Sequence, residues 1–390
     1  MENTVNIKIN GMPLSVPAGS TILEAARYAG IDIPTLCFLK DMNQIGACRM
    51  CVVEVKGARS LVASCVYPVN EGMEVFTNTP KVQKSRRMTL EMLLSVHDRH
   101  CLSCKRSGTC ELQALCQELG VEQDDRFDGD VPDSIVDESC SHLIRDNSKC
   151  ILCRRCVAAC EQHVGVIGPN GRGFDTHIAC AFERPLAETT CVNCGQCIVA
   201  CPTGALQEKD QCQEVLDAIN DPEKIVIVQT APSIRATLGE CFGMPIGTNV
   251  EGKMVAALRR LGFDKVFDTD FGADMTIMEE ATEFIHRVKE GGPLPIITSC
   301  SPGWVKFCEH YFPDLLPNVS TCKSPQQMTG ALIKTWYAEK EGIDPKKIVS
   351  VSIMPCTAKK FETKNSESNA VEGLYDVDVA ITTRELARMI

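Results

Sequence analysis

Residues 1–78 alternate apolar and polar positions in short runs, which predicts a β-rich domain. The runs VNIKING and MPLSVPA predict two strands that are joined by a turn at Asn10 and Gly11. Ser20 and Thr21 predict the cap of a helix, TILEAARYAG, that ends at Gly30.

The pattern changes twice further along the chain. Residues 79–117 have helical spacing over KVQKSRRMTLEMLLSVHDRH, and residues 118–140 are acidic and broken by Pro and Gly, which predicts a surface linker. From about residue 222, apolar strands alternate with helical segments, and this alternation is typical of an α/β unit with a largely parallel sheet. The predicted strands are KIVIVQT, KVFDT, PLPIIT, KIVSVSI and VDVAIT.

Open α/β sheets form their sites at the carboxyl ends of strands. The segments that follow predicted strands are Ala231-Pro232-Ser233, Phe271-Gly272-Ala273-Asp274, TSCSPGW (298–304) and MPCTAKK (354–360). We therefore expect the candidate site of the α/β unit among these segments. Thr382 and Thr383 predict the cap of a last helix, and because the chain ends at Ile390 we expect this domain to be incomplete.

The composition of the chain excludes several classes of function. The chain has 390 residues and a net charge of −11, which argues against nucleic-acid binding. No run approaches the roughly 18 apolar residues of a membrane-spanning helix, and the N-terminus does not read as a secretory signal. The 24 cysteines, clustered at short spacings, then predict metal–thiolate chemistry in a reducing cytoplasm rather than disulfides.

The first cysteine group predicts a [2Fe–2S] centre. Its members are Cys37, Cys48, Cys51 and Cys65. Four thiolates on a small β-grasp-like domain suit such a centre, although zinc also takes four cysteines. The wide gap between Cys37 and Cys48 differs from the knuckles of a zinc ribbon, so we favour iron and sulfur.

The second group predicts a further cluster with one ligand left open. Three of its ligands are Cys101, Cys104 and Cys110. The fourth is His97, His100 or Cys116, and His97 would lie one helical turn before Cys101 and face the same way.

Two CxxCxxCxxxC runs predict a pair of [4Fe–4S] clusters of the bacterial ferredoxin type. In that type the fourth cysteine of each run ligates the other cluster. One predicted ligand set is Cys150, Cys153, Cys156 and Cys201, and the other is Cys191, Cys194, Cys197 and Cys160. Since iron–sulfur centres move single electrons, residues 1–208 predict an electron relay.

The order of these modules, together with TSCSPGW and MPCTAKK, resembles the multi-cluster iron-only ([FeFe]) hydrogenases over the whole chain. It is most similar to the large catalytic subunit of cytosolic NAD(P)-linked complexes. The resemblance favours His97 as the fourth ligand of its group. It implies a multidomain α+β and α/β protein with the following parts: a plant-type β-grasp [2Fe–2S] domain (1–78), a small helical His/Cys3 [4Fe–4S] domain (79–117), a linker (118–140), a two-cluster ferredoxin domain (141–208) and a partial α/β hydrogenase domain (209–390).

The resemblance also implies an H-cluster, which is a [4Fe–4S] cubane joined to a diiron subcluster. Cys356 matches one cubane ligand, and Lys359 matches the lysine that pairs with a cyanide. The positions that match the lining of the diiron pocket are Ala231, Pro232, Ser233, Gln326 and Met354.

The motif TSCSPGW departs from the family's TSCCP. In that register Cys300 matches the proton-transfer thiol, and Ser301 stands where a cubane ligand is expected. Either Cys300 replaces that ligand, or the serine oxygen ligates, or the site is altered. Glu280, Ser320 and Glu283 match the remaining members of the family's proton path.

The third family motif, which has a CxxxC core, is absent from the 390 residues, so we expect no complete H-cluster and no activity from this chain alone. The expected partners are flavin/NAD(P)-binding iron–sulfur subunits or ferredoxin in a hetero-oligomer, with H2 and protons as substrates. Two alternatives stay open. The first is a pure electron-transfer subunit, like the large iron–sulfur subunit of complex I or an accessory formate dehydrogenase chain, and the second is a non-catalytic H2 sensor or assembly factor.

Overall fold

The structure is a computed structural model that describes residues 4–122, 126–127, 134–364 and 369–390. Its contacts divide into two units. The first unit comprises Met1–Ser139, Ile144–Thr189 and Gln196–Gln207, and the second comprises Cys140–Leu143, Thr190–Gly195 and Glu208–Ile390. The finer division into the domains named above stays a prediction.

The first unit begins with a five-stranded sheet of order β2-β1-β5-β3-β4. Its elements are β1 (Thr4–Ile9), β2 (Met12–Pro17), α1 (Ile22–Tyr28), β3 (Val52–Val55), β4 (Val62–Ala63) and β5 (Glu74–Phe76). The predicted hairpin is confirmed, because Asn10 and Gly11 both have the positive φ that a tight turn requires. The predicted helix cap is also confirmed, since Thr21 and Glu24 form a capping box.

The remainder of the first unit is made of short elements. They are α2 (Pro80–Leu94), α3 (Glu111–Leu119), β6 (Val136–Asp137), β7 (Leu143–Asp146), α4 (Arg155–Glu161), β8 (Ile167–Asn170), β9 (His177–Cys180), α5 (Gln196–Ala200) and β10 (Leu206–Glu208). Strands β10, β7 and β6 form one small sheet, and β8 pairs with β9.

Two expectations for this unit need correction. The helix predicted to run to His100 ends at Leu94, so His97 is not one helical turn before Cys101. Part of the predicted linker is a strand, because Val136–Asp137 pairs with β7, whereas residues 123–125 and 128–133 of that linker lie outside the described part of the chain.

The second unit contains a four-stranded, wholly parallel sheet of order β12-β11-β13-β14, which confirms the predicted α/β pattern. Its elements are α6 (Cys212–Asn220), β11 (Ile225–Thr230), α7 (Ile234–Thr237), α8 (Glu251–Leu261), β12 (Lys265–Asp268), α9 (Thr269–Glu290), α10 (Pro302–Tyr311), α11 (Pro325–Leu332), α12 (Ala338–Glu341), β13 (Ile348–Met354), α13 (Ala358–Lys364), β14 (Val379–Thr382) and α14 (Thr383–Met389). Apolar side chains of these strands pack against those of α6, α8 and α14 to form its core.

The predicted strand PLPIIT is wrong. Its prolines cannot donate to a sheet, and the segment makes only an isolated bridge between Ile297 and Val319. Phe271-Gly272-Ala273-Asp274 follows strand β12 as predicted, and it lies in the first turns of α9. Gly272 has a packing role there, because a Cβ at this position would lie 2.6 Å from the Pro325 carbonyl oxygen of α11.

The described helices were also compared with the requirements of a membrane span. None of them has both the length and the apolar character that crossing a bilayer needs.

Candidate functional site

The four cysteines of the first group lie together in two thiol pairs. The Sγ atoms of Cys51 and Cys65 are 3.3 Å apart. A hydrogen bond from Cys37 lowers the pKa of Cys48 to about 6, and one from Cys65 lowers the pKa of Cys51 to about 7. Two thiolates are therefore stabilised near neutral pH, and thiolate is the form that binds metal.

The second group lies between α2 and α3. His97 has a buried Nδ1 without a hydrogen-bond partner among the described residues, and burial lowers its pKa, so its imidazole is neutral and ready to bind a metal. His100 is exposed and contacts Asp98 instead. Cys116 lies on α3, where burial and then the charges of nearby Cys110 and Cys101 raise its pKa to about 11.

The two long cysteine runs have the same local backbone. The second and fourth residues after the first cysteine are left-handed in both runs, namely Leu152 and Arg154 in one and Asn193 and Gly195 in the other. Such turns direct backbone N–H groups towards the loop interior, as shown by the Leu152 N–H, which lies 3.4 Å from the Cys150 Sγ. A short helix, α4 or α5, then begins at the same position in each run.

One of the two predicted ligand sets lines a single small cavity. Its four members are Cys150, Cys153, Cys156 and Cys201, and the last comes from the other run. Four thiols around one cavity fit a [4Fe–4S] cluster. The other set remains a sequence prediction, since Cys191 and Cys194 belong to the second unit and Cys197 and Cys160 to the first.

Several contacts join the cysteine groups of the first unit, and two of them show how closely the groups are connected. The buried side-chain amide of Asn43 donates to the Cys37 carbonyl at 2.7 Å and to the Cys153 carbonyl at 3.0 Å. It therefore connects the first group directly to the Cys150 cavity.

The second contact starts at the His97 group. The backbone N–H of Glu111, next to Cys110, donates to the Pro202 carbonyl at 3.0 Å. Gly204 permits this approach, because a Cβ there would lie only 2.7 Å from the Cys104 Sγ. The His97 group thus also contacts the segment that carries Cys201.

In the second unit, Lys359 joins the motifs TSCSPGW and MPCTAKK. Its Nζ donates to the Cys300 carbonyl at 2.8 Å and pairs with Glu362 at 2.9 Å. Cys356, which precedes it in the second motif, is half-buried, and its carbonyl accepts from the Lys359 backbone N–H. The two motifs are therefore neighbours in space.

Gln326 extends this cluster towards the sheet. Its amide donates to Glu362 at 2.8 Å and accepts from Ser352 of β13 at 2.9 Å. Met354 is the last residue of β13, and Ala231 follows the neighbouring strand β11, where its N–H donates to the Ile353 carbonyl. Pro232 and Ser233, which come next, are exposed.

Ser301 and Cys300 differ in what they contact. The Ser301 hydroxyl accepts from the Trp304 N–H and caps the N-terminus of α10, while Pro302 fills the first helical position. Cys300 is exposed, and its Sγ lies 4.0 Å from the Thr298 hydroxyl.

Two of the predicted proton-path residues, Glu283 and Ser320, meet where α9 passes residues 319–322. Ser320 donates to Glu283 at 2.9 Å, and the Cys322 thiol lies 3.8 Å from the same carboxylate. Burial would raise the pKa of Glu283, but hydrogen bonds from Ser320, Arg287 and the Thr321 N–H hold it below its usual value. Glu280 has a buried carboxyl oxygen without a partner among the described residues.

Three residues at this site were not predicted as part of it. Arg287 pairs with Glu283 one helical turn along α9, a spacing that the sequence already shows. Cys322 fits none of the predicted cysteine groups, yet it contacts Glu283, and its carbonyl accepts from Ser299 beside Cys300. Glu362 stands three positions after Lys359, a spacing that the sequence also shows, whereas its contacts with Gln326 and Ser324 are made only by the fold.

Comparison with known proteins identifies the parts of the chain. The iron only hydrogenase large subunit, C-terminal domain family matches residues 224–390. A 2Fe-2S iron-sulfur cluster binding domain matches residues 2–80, the NADH-ubiquinone oxidoreductase-G iron-sulfur binding region matches residues 86–125, and a 4Fe-4S dicluster domain matches residues 149–205.

Three relatives show how far each likeness extends. The chain is 52% identical to the NADP-reducing hydrogenase subunit HndD of Solidesulfovibrio fructosivorans, over 99% of this chain and 68% of that protein. It is 44% identical to iron hydrogenase 1 of Clostridium pasteurianum, over 98% of this chain and 67% of that protein. It is 37% identical to the NADH-ubiquinone oxidoreductase 75 kDa subunit of Reclinomonas americana, over 53% of this chain and 29% of that protein. The first two matches, which span nearly the whole chain, show that it belongs to the family of iron-only hydrogenase large subunits.

Proposed function

We propose that this chain relays electrons between redox partners and a hydrogen-activating site, and that its holoprotein interconverts H2 with protons and electrons. The observation that carries the proposal is the meeting of TSCSPGW and MPCTAKK at Lys359, in the same unit as the Glu283–Ser320–Cys322 contacts. An electron relay alone has no need of either arrangement.

The cysteine groups of the first unit support the relay. Bound iron–sulfur clusters would supply one-electron transfer. The Cys37 group would hold a [2Fe–2S] centre, and the Cys150 cavity would hold a [4Fe–4S] cluster. The His97 and Cys191 groups would hold two more [4Fe–4S] clusters, and the unpartnered Nδ1 of His97 supports that histidine as a ligand.

The contacts between these groups support a route with two entrances. Asn43 connects the Cys37 group to the Cys150 cavity, and the hydrogen bond from Glu111 to Pro202 connects the His97 group to the same cavity. Electrons from either group would therefore reach the Cys150 site directly.

The second unit supports proton transfer. Glu283 accepts from Ser320, and one carboxyl oxygen of Glu280 is buried without a hydrogen-bond partner among the described residues. Cys300 is exposed at the end of TSC, and a thiol can both take up and release a proton. We propose that these groups move protons between solvent and the Cys300 thiol.

The residues present supply part of the ligand set that the family implies for the H-cluster. Cys356 offers one thiolate, and Lys359, Gln326, Met354, Ala231, Pro232 and Ser233 would line the neighbouring pocket. We infer that Ser301 is not a ligand, since its hydroxyl already caps α10. With Cys300 proposed for proton transfer, the remaining cubane ligands are not among the residues assigned here.

The proposed partners follow from the relatives. The relative that matches 99% of this chain is named as a subunit of an NADP-reducing hydrogenase. We propose that this chain likewise assembles with subunits that carry flavin, NAD(P) or ferredoxin chemistry.

A non-catalytic electron-transfer subunit is the second candidate. The match to the NADH-ubiquinone oxidoreductase 75 kDa subunit favours it, but that match covers only 53% of this chain, whereas the match to the NADP-reducing hydrogenase subunit covers 99%. The second candidate leaves Lys359, Glu283 and Ser320 without a role.

The test combines iron content with hydrogen uptake by the matured holoprotein. We expect the relay to bind about 14 iron atoms, from one [2Fe–2S] and three [4Fe–4S] centres, and the holoprotein to reduce a viologen dye under H2. Cys153→Ala should remove about four of these iron atoms. Cys241→Ala, at an exposed thiol outside every group, should remove none. Zinc in place of iron in the relay, or a holoprotein that carries a complete H-cluster yet does not reduce the dye, would contradict the proposal.

A further inference from the structure

Arg145 is a buried cation at the edge of the Cys150 cavity. It lies on β7, its side chain is 5% exposed, and it lines the cavity together with Cys150, Cys153, Cys156 and Cys201. A fixed positive charge inside a protein acts strongly on its neighbours, because water does not screen it.

The neighbours of Arg145 hold its guanidinium in one place. Nη2 pairs with Asp137 at 3.1 Å, and Nη1 lies 3.6 Å from the Cys180 Sγ. Asp137 is itself fixed by the backbone N–H of Leu186 at 2.9 Å. The guanidinium is therefore oriented by groups that are not predicted cluster ligands.

One N–H donor of this guanidinium has no acceptor among the described residues. The Nε of Arg145 is buried and has no hydrogen-bond partner among the residues that the structure describes. A buried donor without an acceptor is costly. The sulfur atoms of a cluster in the adjoining cavity would provide acceptors, so the residues present fit such a cluster.

The second cysteine run lacks this charge. Arg145 stands five positions before Cys150, and the residue five positions before Cys191 is Leu186. The two runs share their turns and helices, but only the first is preceded at this position by a cation.

We propose that Arg145 raises the reduction potential of the [4Fe–4S] cluster held by Cys150, Cys153, Cys156 and Cys201, and that Asp137 limits this effect. Reduction adds one negative charge to a cluster, and a nearby cation stabilises the reduced form. Electrons arriving from either entrance would be held at this cluster. The inference rests on the proposed relay and adds the residue that sets one of its potentials.

The test is a redox titration of the iron-loaded full chain, followed by electron paramagnetic resonance. For Arg145→Met we expect one [4Fe–4S] signal to change, with its ratio of reduced to oxidised cluster about tenfold lower at a fixed solution potential, which is about 59 mV for a one-electron couple. Asp137→Asn should change the same signal in the opposite direction. A purely structural role for the pair would not give shifts of opposite sign.

Arg172→Met is the matched control. Arg172 is an exposed arginine of the same unit, so its removal changes the net charge equally but should leave every potential in place, because solvent and salt screen it. Iron content is measured for each variant.

Unchanged [4Fe–4S] potentials in an iron-loaded Arg145→Met protein, or shifts of the same sign in both variants, would overturn the inference. If the Arg145→Met protein does not bind its iron, the Asp137→Asn protein provides the test. An unchanged or lower potential of the [4Fe–4S] cluster in that variant would then overturn the inference. Failure of the proposed relay looks different, since the unaltered chain would then lack the [4Fe–4S] signals themselves.

Discussion

Asn43 shows how much a single side chain contributes to the relay. It is 4% exposed, and its amide donates to carbonyls of Cys37 and Cys153, which are predicted ligands of different clusters. The sequence gives no indication of this role, because Asn43 lies in a loop between cysteines and its second partner is 110 residues away.

Replacing Asn43 with alanine should slow electron exchange between the [2Fe–2S] centre and the relay. The substitution removes both hydrogen bonds and leaves two buried carbonyls without this donor, which costs on the order of 1–3 kcal/mol per group. Rapid-freeze electron paramagnetic resonance after reduction at the [2Fe–2S] centre measures the exchange rate. Asn70→Ala, at an exposed position of the same unit, is the control. An unchanged rate in Asn43→Ala would show that the bridge is only structural.

For Ser301 the sequence and the structure disagree. Its position matches that of a cubane ligand, whereas its hydroxyl forms the N-cap of α10. Ser301→Ala should keep the iron content of the holoprotein and lower its free energy of unfolding by about 1 kcal/mol, the usual cost of a lost N-cap. Ser301→Asp should retain stability, since aspartate also caps helices well. Iron analysis and denaturant unfolding measure the two quantities, and loss of iron in Ser301→Ala would mean that the serine oxygen is a ligand.

At the scale of elements, a buried ion pair fastens α13 to α14. Lys360 follows Lys359 in MPCTAKK, and its Nζ lies 2.8 Å from the Glu385 carboxylate, with both side chains almost fully buried. Glu385 also forms the capping box of α14 with Thr382. The helix that carries the motif is thus anchored to the last helix of the chain.

Lys360→Met should be strongly destabilising, because it leaves the Glu385 charge buried without its partner, at a cost of about 3–5 kcal/mol. The double variant Lys360→Met with Glu385→Gln should recover part of that loss, since no uncompensated charge remains. Lys346→Met, at an exposed lysine of the same unit, is the control. Thermal unfolding followed by circular dichroism measures all three variants. Equal loss in the single and double variants would contradict the assignment of an ion pair.

The elements also show where sequence reasoning succeeds and where it fails. Strands β11, β12, β13 and β14 are runs of apolar residues bounded by polar ones, and all four were predicted. PLPIIT has a similar apolar content but no strand, because proline removes the donors that a sheet needs. The end of α2 at Leu94 was also missed, since helical spacing continues in the sequence beyond the last helical residue.

At the scale of the whole molecule, cysteine spacing and motif order were enough to predict the family. Local spacing also paired three cysteines of one run with Cys201 of the other, and these four line one cavity. Contacts such as Asn43 with Cys153 and Lys359 with Cys300 could not be predicted. They depend on side chains that are distant in sequence and meet only in the folded chain.

The central claim is that electrons from H2 enter the relay through the site beside Cys300. The most direct measurement is electron paramagnetic resonance of the matured holoprotein, first under H2 and then with dithionite, in the unaltered protein and in Cys300→Ala. We predict that H2 reduces the relay clusters of the unaltered protein but not those of Cys300→Ala, while dithionite reduces both. Reduction by H2 in both proteins would contradict the role of Cys300, and loss of cubane iron from Cys300→Ala would show that Cys300 is a ligand instead.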